Sequence, residues 1–225
     1  MQSLRGRCQF VTGLFVAIFV VSVVASYSTW SLVRYLQGLS SGEPPDEAAA
    51  EVIDSRQATV GILQVVLFVG CGIAFLMWFH GAHKNLKAGG IEGLRYSPGW
   101  AVGGFFVPFL NLVRPFQVMK EVWHGSVSLA RESEGASREA GAPPTLAGWW
   151  WALFLGTNLL GSVAGRLMLA AEELDELLFA GSVTLASDLL DIPAAVLAVL
   201  LVRRVTSFQE SAQSRREGID RLAGA

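Results

Sequence analysis

Four stretches of this chain run for more than twenty residues with almost no charge. Cys8–Val33 spans 26 residues, Gln57–Phe79 spans 23, and Ala140–Gly165 and Leu177–Val202 span 26 each. Only Asp188 and Asp191 interrupt the last of them. A membrane-spanning helix needs ~20 consecutive mostly apolar residues. A soluble domain would instead disperse its apolar residues at period 2 or 3.6. The predicted fold class is therefore all-α, an integral membrane helical bundle. It forms a single membrane domain over residues 1–225, with spans at about 9–33, 57–79, 147–170 and 181–202.

Composition supports this. Of the 225 residues, 52% are hydrophobic and 16% charged, against about 25% charged in soluble domains. The net charge of −2 gives no basic footprint for a nucleic-acid partner. Cys8 and Cys71 both sit in apolar runs, which is neither a disulfide framework nor a zinc spacing; they read as inert buried thiols. Arginine outnumbers lysine 14 to 3 and Ala and Gly are abundant, a bias expected of a GC-rich bacterial genome.

A fifth apolar block, Tyr96–Val113, is 18 residues long and poorly built for a straight spanning helix. Pro98 and Pro108 each remove a backbone donor, Gly103 and Gly104 weaken its centre, and Asn111 adds an amide. Such backbone is tolerated at membrane depth only where protein or water satisfies it. Basic residues decide its role, because short cytoplasmic loops carry the excess of Lys and Arg. If the block spans, one side holds six basic residues and the other 11, against the inside preference of Arg5 and Arg7. If it does not, the inside holds 14 and the outside only Arg34, Arg56 and Arg166. Four spans follow, with both termini cytoplasmic and a cytoplasmic-side re-entrant or interfacial segment at 96–113. A competing reading takes Arg5, Arg7 and Val23-x-Ala25 as a signal peptide, although the apolar run continues to Val33.

Beyond Pro115, Phe116, Met119, Val122, Trp123, Val127 and Ala130 recur at helical steps. They predict an amphipathic helix over 115–130, lying in the interface or packed on the bundle. Residues 131–145 read as a polar loop, and 203–225 as a cytoplasmic tail.

The run AHKNLKAGGIEGLRYSPGWAVGGFFVPFLNLVRPFQVMKEVWHGS, with WWWALFLGTNLL and VRRVTSFQE, resembles the bacterial domain-of-unknown-function family 4328 over roughly residues 57–210. The positions that carry the resemblance are His83, Asn85, Leu86, Ser97, Pro98, Gly99, Trp100, Pro108, Asn111, Pro115, Trp123, Trp149, Trp150 and Gln209. Gly103 and Gly104 stand where members of that family usually carry aromatics. The resemblance implies a multi-pass bacterial membrane protein and no particular activity.

Candidate chemistry is sparse. Asp188 and Asp191 lie inside an apolar block, where an aspartate at the helix centre costs ~2.5–3.5 kcal/mol to insert. The structural reading is an intramembrane charge pair with Arg166; the functional one is a proton or ion pathway. His80 and His83 sit one turn apart and His124 could approach them, but no carboxylate or Cys is convincingly placed to complete a zinc site. No catalytic residue, cofactor or metal is predicted. There is no Walker loop, and the arrangement needed by intramembrane aspartyl or CAAX-type proteases is lacking. Gly161-x-x-x-Gly165 is a close-packing signature, expected to act within the bundle.

The expected function is that of a non-enzymatic scaffold or regulator of a membrane partner. The alternative is a small oligomeric transporter or channel using Asp188, Asp191 and Arg166. The expected partners are the lipid bilayer and a protein partner or a second copy of the chain. The expected location is the bacterial cytoplasmic membrane.

Overall fold

The computed structural model describes residues 1–132 and 145–223. Its elements are helical throughout the described residues: α1 (Arg5–Ser40), α2 (Glu47–Ala88), α3 (Pro98–Gly103), a single 3₁₀ turn (Leu110–Leu112), α4 (Arg114–Glu132), α5 (Thr145–Ala170) and α6 (Leu174–Ala223). Among them, α1, α2, α5 and α6 are long and apolar enough to cross a membrane. The polar loop expected at 131–145 lies, over residues 133–144, outside the described residues.

The helices outrun the apolar blocks that announce them. α1 has 36 residues, α2 42 and α6 50. α6 begins at Leu174, seven residues before the expected start of the last span. The extra turns are built from local signals. The Asp46 side chain accepts from the backbone N–H of Ala49 at 3.0 Å and caps the start of α2. At its far end Gly90 adopts φ +83° and the Ile91 N–H bonds back to the Leu86 carbonyl at 3.0 Å, closing the helix. Pro193 lies inside α6 and leaves the carbonyl one turn earlier without its helical donor.

The chain forms two compact units. The first comprises Met1–Gly13, Cys71–Trp151 and Leu197–Ala225. Its core is aromatic: Phe79 meets Phe105 edge-on at 5.9 Å, Phe105 meets Trp151 at 6.2 Å, and Phe75 lies 5.5 Å from Trp150. In α4, Val118, Met119, Val122, Trp123 and Leu129 are buried on one face, so the amphipathic stripe is a packing surface. The Trp123 ring closes against Phe208 at 5.6 Å.

The segment from Tyr96 to Val113 is broken, as its prolines and glycines require. Ser97 caps α3 with Pro98 in the first turn. The helix stops at Gly103, and Leu110–Leu112 form the 3₁₀ turn. The Trp151 indole N–H donates to the Leu112 carbonyl at 2.9 Å and satisfies the end of that turn.

The second unit comprises Leu14–Gly70 and Ala152–Val196. Its helix segments bury Val33, Ile53, Val60, Ala164, Ala180 and Ala195. They also bury an unusual share of polar groups: Ser22, Ser26, Ser28, Thr29, Thr157, Ser187 and Asp188. A Cβ placed on Gly161 would lie 3.6 Å from Ser187 Oγ, whereas one on Gly165 would meet open space, so only the Gly161 end of the Gly161/Gly165 stripe faces another helix.

Candidate functional site

Several polar groups of the second unit gather around Asp188 and Asp191. Thr29 on α1 donates its hydroxyl to Asp188 Oδ2 at 2.8 Å, and Gln64 on α2 donates its amide to Asp188 Oδ1 at 3.0 Å. Each carboxylate oxygen of the buried Asp188 thus has a neutral donor. Asp191, one turn further along α6, lies beside Thr157 of α5, whose hydroxyl donates to the Phe154 carbonyl at 3.3 Å. Ser187 binds the Thr157 carbonyl at 3.4 Å. Asp191 then opens onto a cavity of about 510 Å³, whose other polar lining residues are Ser22, Gln64, Thr157, Asn158 and Ser162.

The expected pairing of Arg166 with Asp188 and Asp191 is not made. Arg166 is exposed on α5, and the ion pairs among the described residues are Arg5–Glu210 and His83–Glu121. The reason is helical register. With α6 starting at Leu174, Asp188 lies ~21 Å along its axis, whereas Arg166 is only ~6 Å from the end of α5, at 1.5 Å per residue. Asp188 is left with hydroxyl and amide donors, and neither aspartate has a basic partner among the described residues. Such carboxylates in an apolar setting demand a proton or a cation, because an unpaired buried charge is expensive.

In the first unit, the positions singled out by resemblance assemble a second polar network. Asn85 donates to the Gln209 side-chain oxygen at 3.0 Å and to the Gln2 carbonyl at 2.8 Å, and accepts from the Gln2 N–H at 2.9 Å. Gln209 donates to the Ala82 carbonyl at 3.0 Å and to Ser126 at 2.8 Å. Glu210 accepts from the Leu4 N–H at 2.6 Å and pairs with Arg5 at 3.0 Å. A side chain of α6 thereby supplies the start of α1 with its cap.

His83 is fully buried and lies 3.2 Å from Glu121, whose other oxygen accepts the backbone N–H of Arg95. This carboxylate partner was not foreseen. His80 and His124 are only half-buried, and among the described residues no three His, Cys, Asp or Glu side chains form a metal cluster.

The remaining positions are structural. Pro98, Gly99 and Trp100 begin α3, Pro115 is buried in the first turn of α4, and Trp150 is in the aromatic core. Trp149 and Pro108 are exposed, and Asn111 is half-buried in the 3₁₀ turn.

Sequence reasoning missed Thr29, Gln64 and Thr157. The available signal was the occurrence of uncharged polar residues within otherwise apolar runs.

No curated protein and no solved structure matches the chain. A family model does match, over residues 42–207. That stretch includes Gln64, His83, Asn85, Asp188 and Asp191. The chain belongs to the family described as Domain of unknown function (DUF4328).

Proposed function

We propose that this is a multi-pass protein of the bacterial cytoplasmic membrane, with both termini cytoplasmic, whose spanning helices hold a binding chamber for a small monovalent cation or a proton. The observation that carries this reading is Asp191, which lines a cavity of about 510 Å³ with no lysine or arginine paired to it among the described residues. Asp188 is the fixed carboxylate, with both oxygens engaged; Asp191 is the acceptor facing the cavity. Hydroxyl and amide oxygens from Ser22, Gln64, Asn158 and Ser162 are the neutral donor set with which proteins replace an ion's hydration shell. Intramembrane carboxylates turned toward a cavity are the parts from which proton and cation pathways are made, here one whose wall also carries Ile18, Val21, Leu67 and Phe68.

The test is melting of the purified protein in detergent across sodium, potassium, ethylammonium and proton concentration, for wild type and Asp191→Asn. One of these species should raise the wild-type melting temperature and leave Asp191→Asn unmoved. If both respond alike to all of them, the chamber is not a cation site.

A second reading, a non-enzymatic scaffold or regulator of a membrane partner, rests on the network around Asn85 and Gln209. It fixes α2, α4, α6 and the N-terminal residues of the first unit in one arrangement, a pre-organised surface of the kind partner binding favours. Purification from gently solubilised membranes supports this reading if a stoichiometric partner accompanies the chain and is lost in Asn85→Leu.

A further inference from the structure

The stretch from Lys87 to Arg114 in the first unit combines two features that water alone does not explain. One is a concentration of positive charge whose side chains make no ion pair among the described residues. The Arg95 and Arg114 guanidinium groups lie 5.6 and 5.7 Å from the centre of the same Tyr96 ring, and Arg114 also lies 5.0 Å from the centre of Trp100. Neither arginine is in an ion pair among the described residues. The Tyr96 ring thus has both cations around it, and Gly104 makes room for one of them, since a Cβ there would come within 3.2 Å of the Arg114 side chain. Beside Tyr96 opens a cavity of about 570 Å³ lined by Lys87, Arg95 and Ser97, with Glu92 as the acidic side chain in its wall.

The other feature is apolar exposure just after it in the chain. Phe106 is 71% and Phe109 84% exposed, and Leu112 and Val113 are exposed as well. Phe109 holds φ at +63°, a conformation that is strained for a bulky side chain. A strained backbone that displays an aromatic ring is the kind of outlier found where a ligand or partner binds.

We propose that this stretch is a site for an anionic phospholipid. Arg95, Arg114 and Lys87 take the headgroup phosphate, Tyr96 and Trp100 lie at headgroup level, and Phe106, Phe109 and Leu112 receive the acyl chains. Charge complementarity selects the occupant: a zwitterionic lipid satisfies the apolar residues equally well but leaves the two guanidinium groups around Tyr96 less fully compensated. Guanidinium groups bind phosphate oxygens through paired N–H donors, and Trp and Tyr favour the membrane interface. The proposal does not depend on the Asp191 chamber, and its test leaves that chamber intact.

The experiment measures lipid retention by native mass spectrometry, and melting in detergent, with phosphatidylglycerol or phosphatidylcholine added. Wild type should retain phosphatidylglycerol in preference by roughly thirtyfold, from the usual attraction of an anionic surface for two arginines, and should melt later with it. Arg95→Gln with Arg114→Gln should lose the preference. Arg95→Lys with Arg114→Lys should keep part of it, since charge survives and the paired donors do not. Equal retention of the two lipids by wild type overturns the proposal, a result that needs no variant to fold. So does an equal rise in melting temperature with inorganic phosphate alone, which would make the site one for free anions. Undiminished preference in the double glutamine variant overturns it as well.

Discussion

The Asn85 side chain donates to the Gln209 side-chain oxygen at 3.0 Å across 124 residues of sequence, with both residues buried. Each carboxamide also bonds backbone: Asn85 to Gln2, and Gln209 to Ala82. Asn85→Leu or Gln209→Leu should lower stability by about 1–3 kcal/mol for each buried group left without a partner. The double variant should cost less than the sum, because two of the orphaned groups vanish together. Melting of the four proteins in one detergent measures this; strict additivity would mean that the two side chains are energetically independent.

Arg166→Leu should melt within about 0.5 kcal/mol of wild type, as exposed substitutions usually do. Thr29→Val should cost about 1.5–3 kcal/mol, the value of a hydrogen bond to a charged group. A salt bridge between Arg166 and Asp188 would predict the reverse order. An early-melting Arg166→Leu would therefore restore the pair that the sequence suggested.

Gly125 faces Leu86, with a Cβ at that position only 2.8 Å from a Leu86 methyl carbon. Leu86 is fully buried, and three of its side-chain carbons would lie within 3.3 Å of that Cβ. Gly125→Ala should cost about 1–3 kcal/mol by overpacking. Gly165→Ala, where nothing lies within 4 Å, should be silent in the isolated chain. If Gly165→Ala instead changes the mass of the detergent-solubilised particle, that face is a contact between copies.

Topology is checked by labelling single cysteines in a background lacking Cys8 and Cys71. Cysteines replacing Ser41 and Glu172, in the turns after α1 and α5, should react with an impermeant maleimide from outside. Cysteines replacing Ser97 and Ser214 should react only after permeabilisation. External labelling at Ser214 as well as at Ser41 would mean that the 96–113 segment crosses the membrane.

Apolar run length made the four long helices legible, because no soluble pattern imitates it. The helix ends were not legible, because hydropathy reports where a helix would meet lipid and not where its hydrogen bonds stop. Glu47–Arg56 is charged and helical, and so is much of α6 beyond Arg203. This misreading propagated into the site. Placing the start of the last helix at Gly181 put Asp188 level with Arg166, and seven additional residues before it removed the match. Asp188 and Asp191 could be read as unusual because they carry charge. Thr29 and Gln64 could not be assigned to Asp188, since an uncharged side chain in an apolar run does not specify which distant residue it will meet. In the first unit, Asn85 and Gln209 stood out by resemblance, but their connection through Ser126 and the Gln2 backbone required the fold.

Two aspartates in α6 also bear on the order in which the chain is made. A helix offered to the bilayer alone with one such residue at its centre is penalised by about 2.5–3.5 kcal/mol on insertion scales, so α6 inserts alone less readily than its apolar length suggests. It is also the last to be synthesised. When residue 188 leaves the ribosome, the Thr29 hydroxyl and the Gln64 amide that bind it have already been made. A circular permutant that began at Leu174 would present the same carboxylates to the insertion machinery before either donor existed, and its shortfall in membrane yield relative to the natural order would measure how much the early helices assist the last.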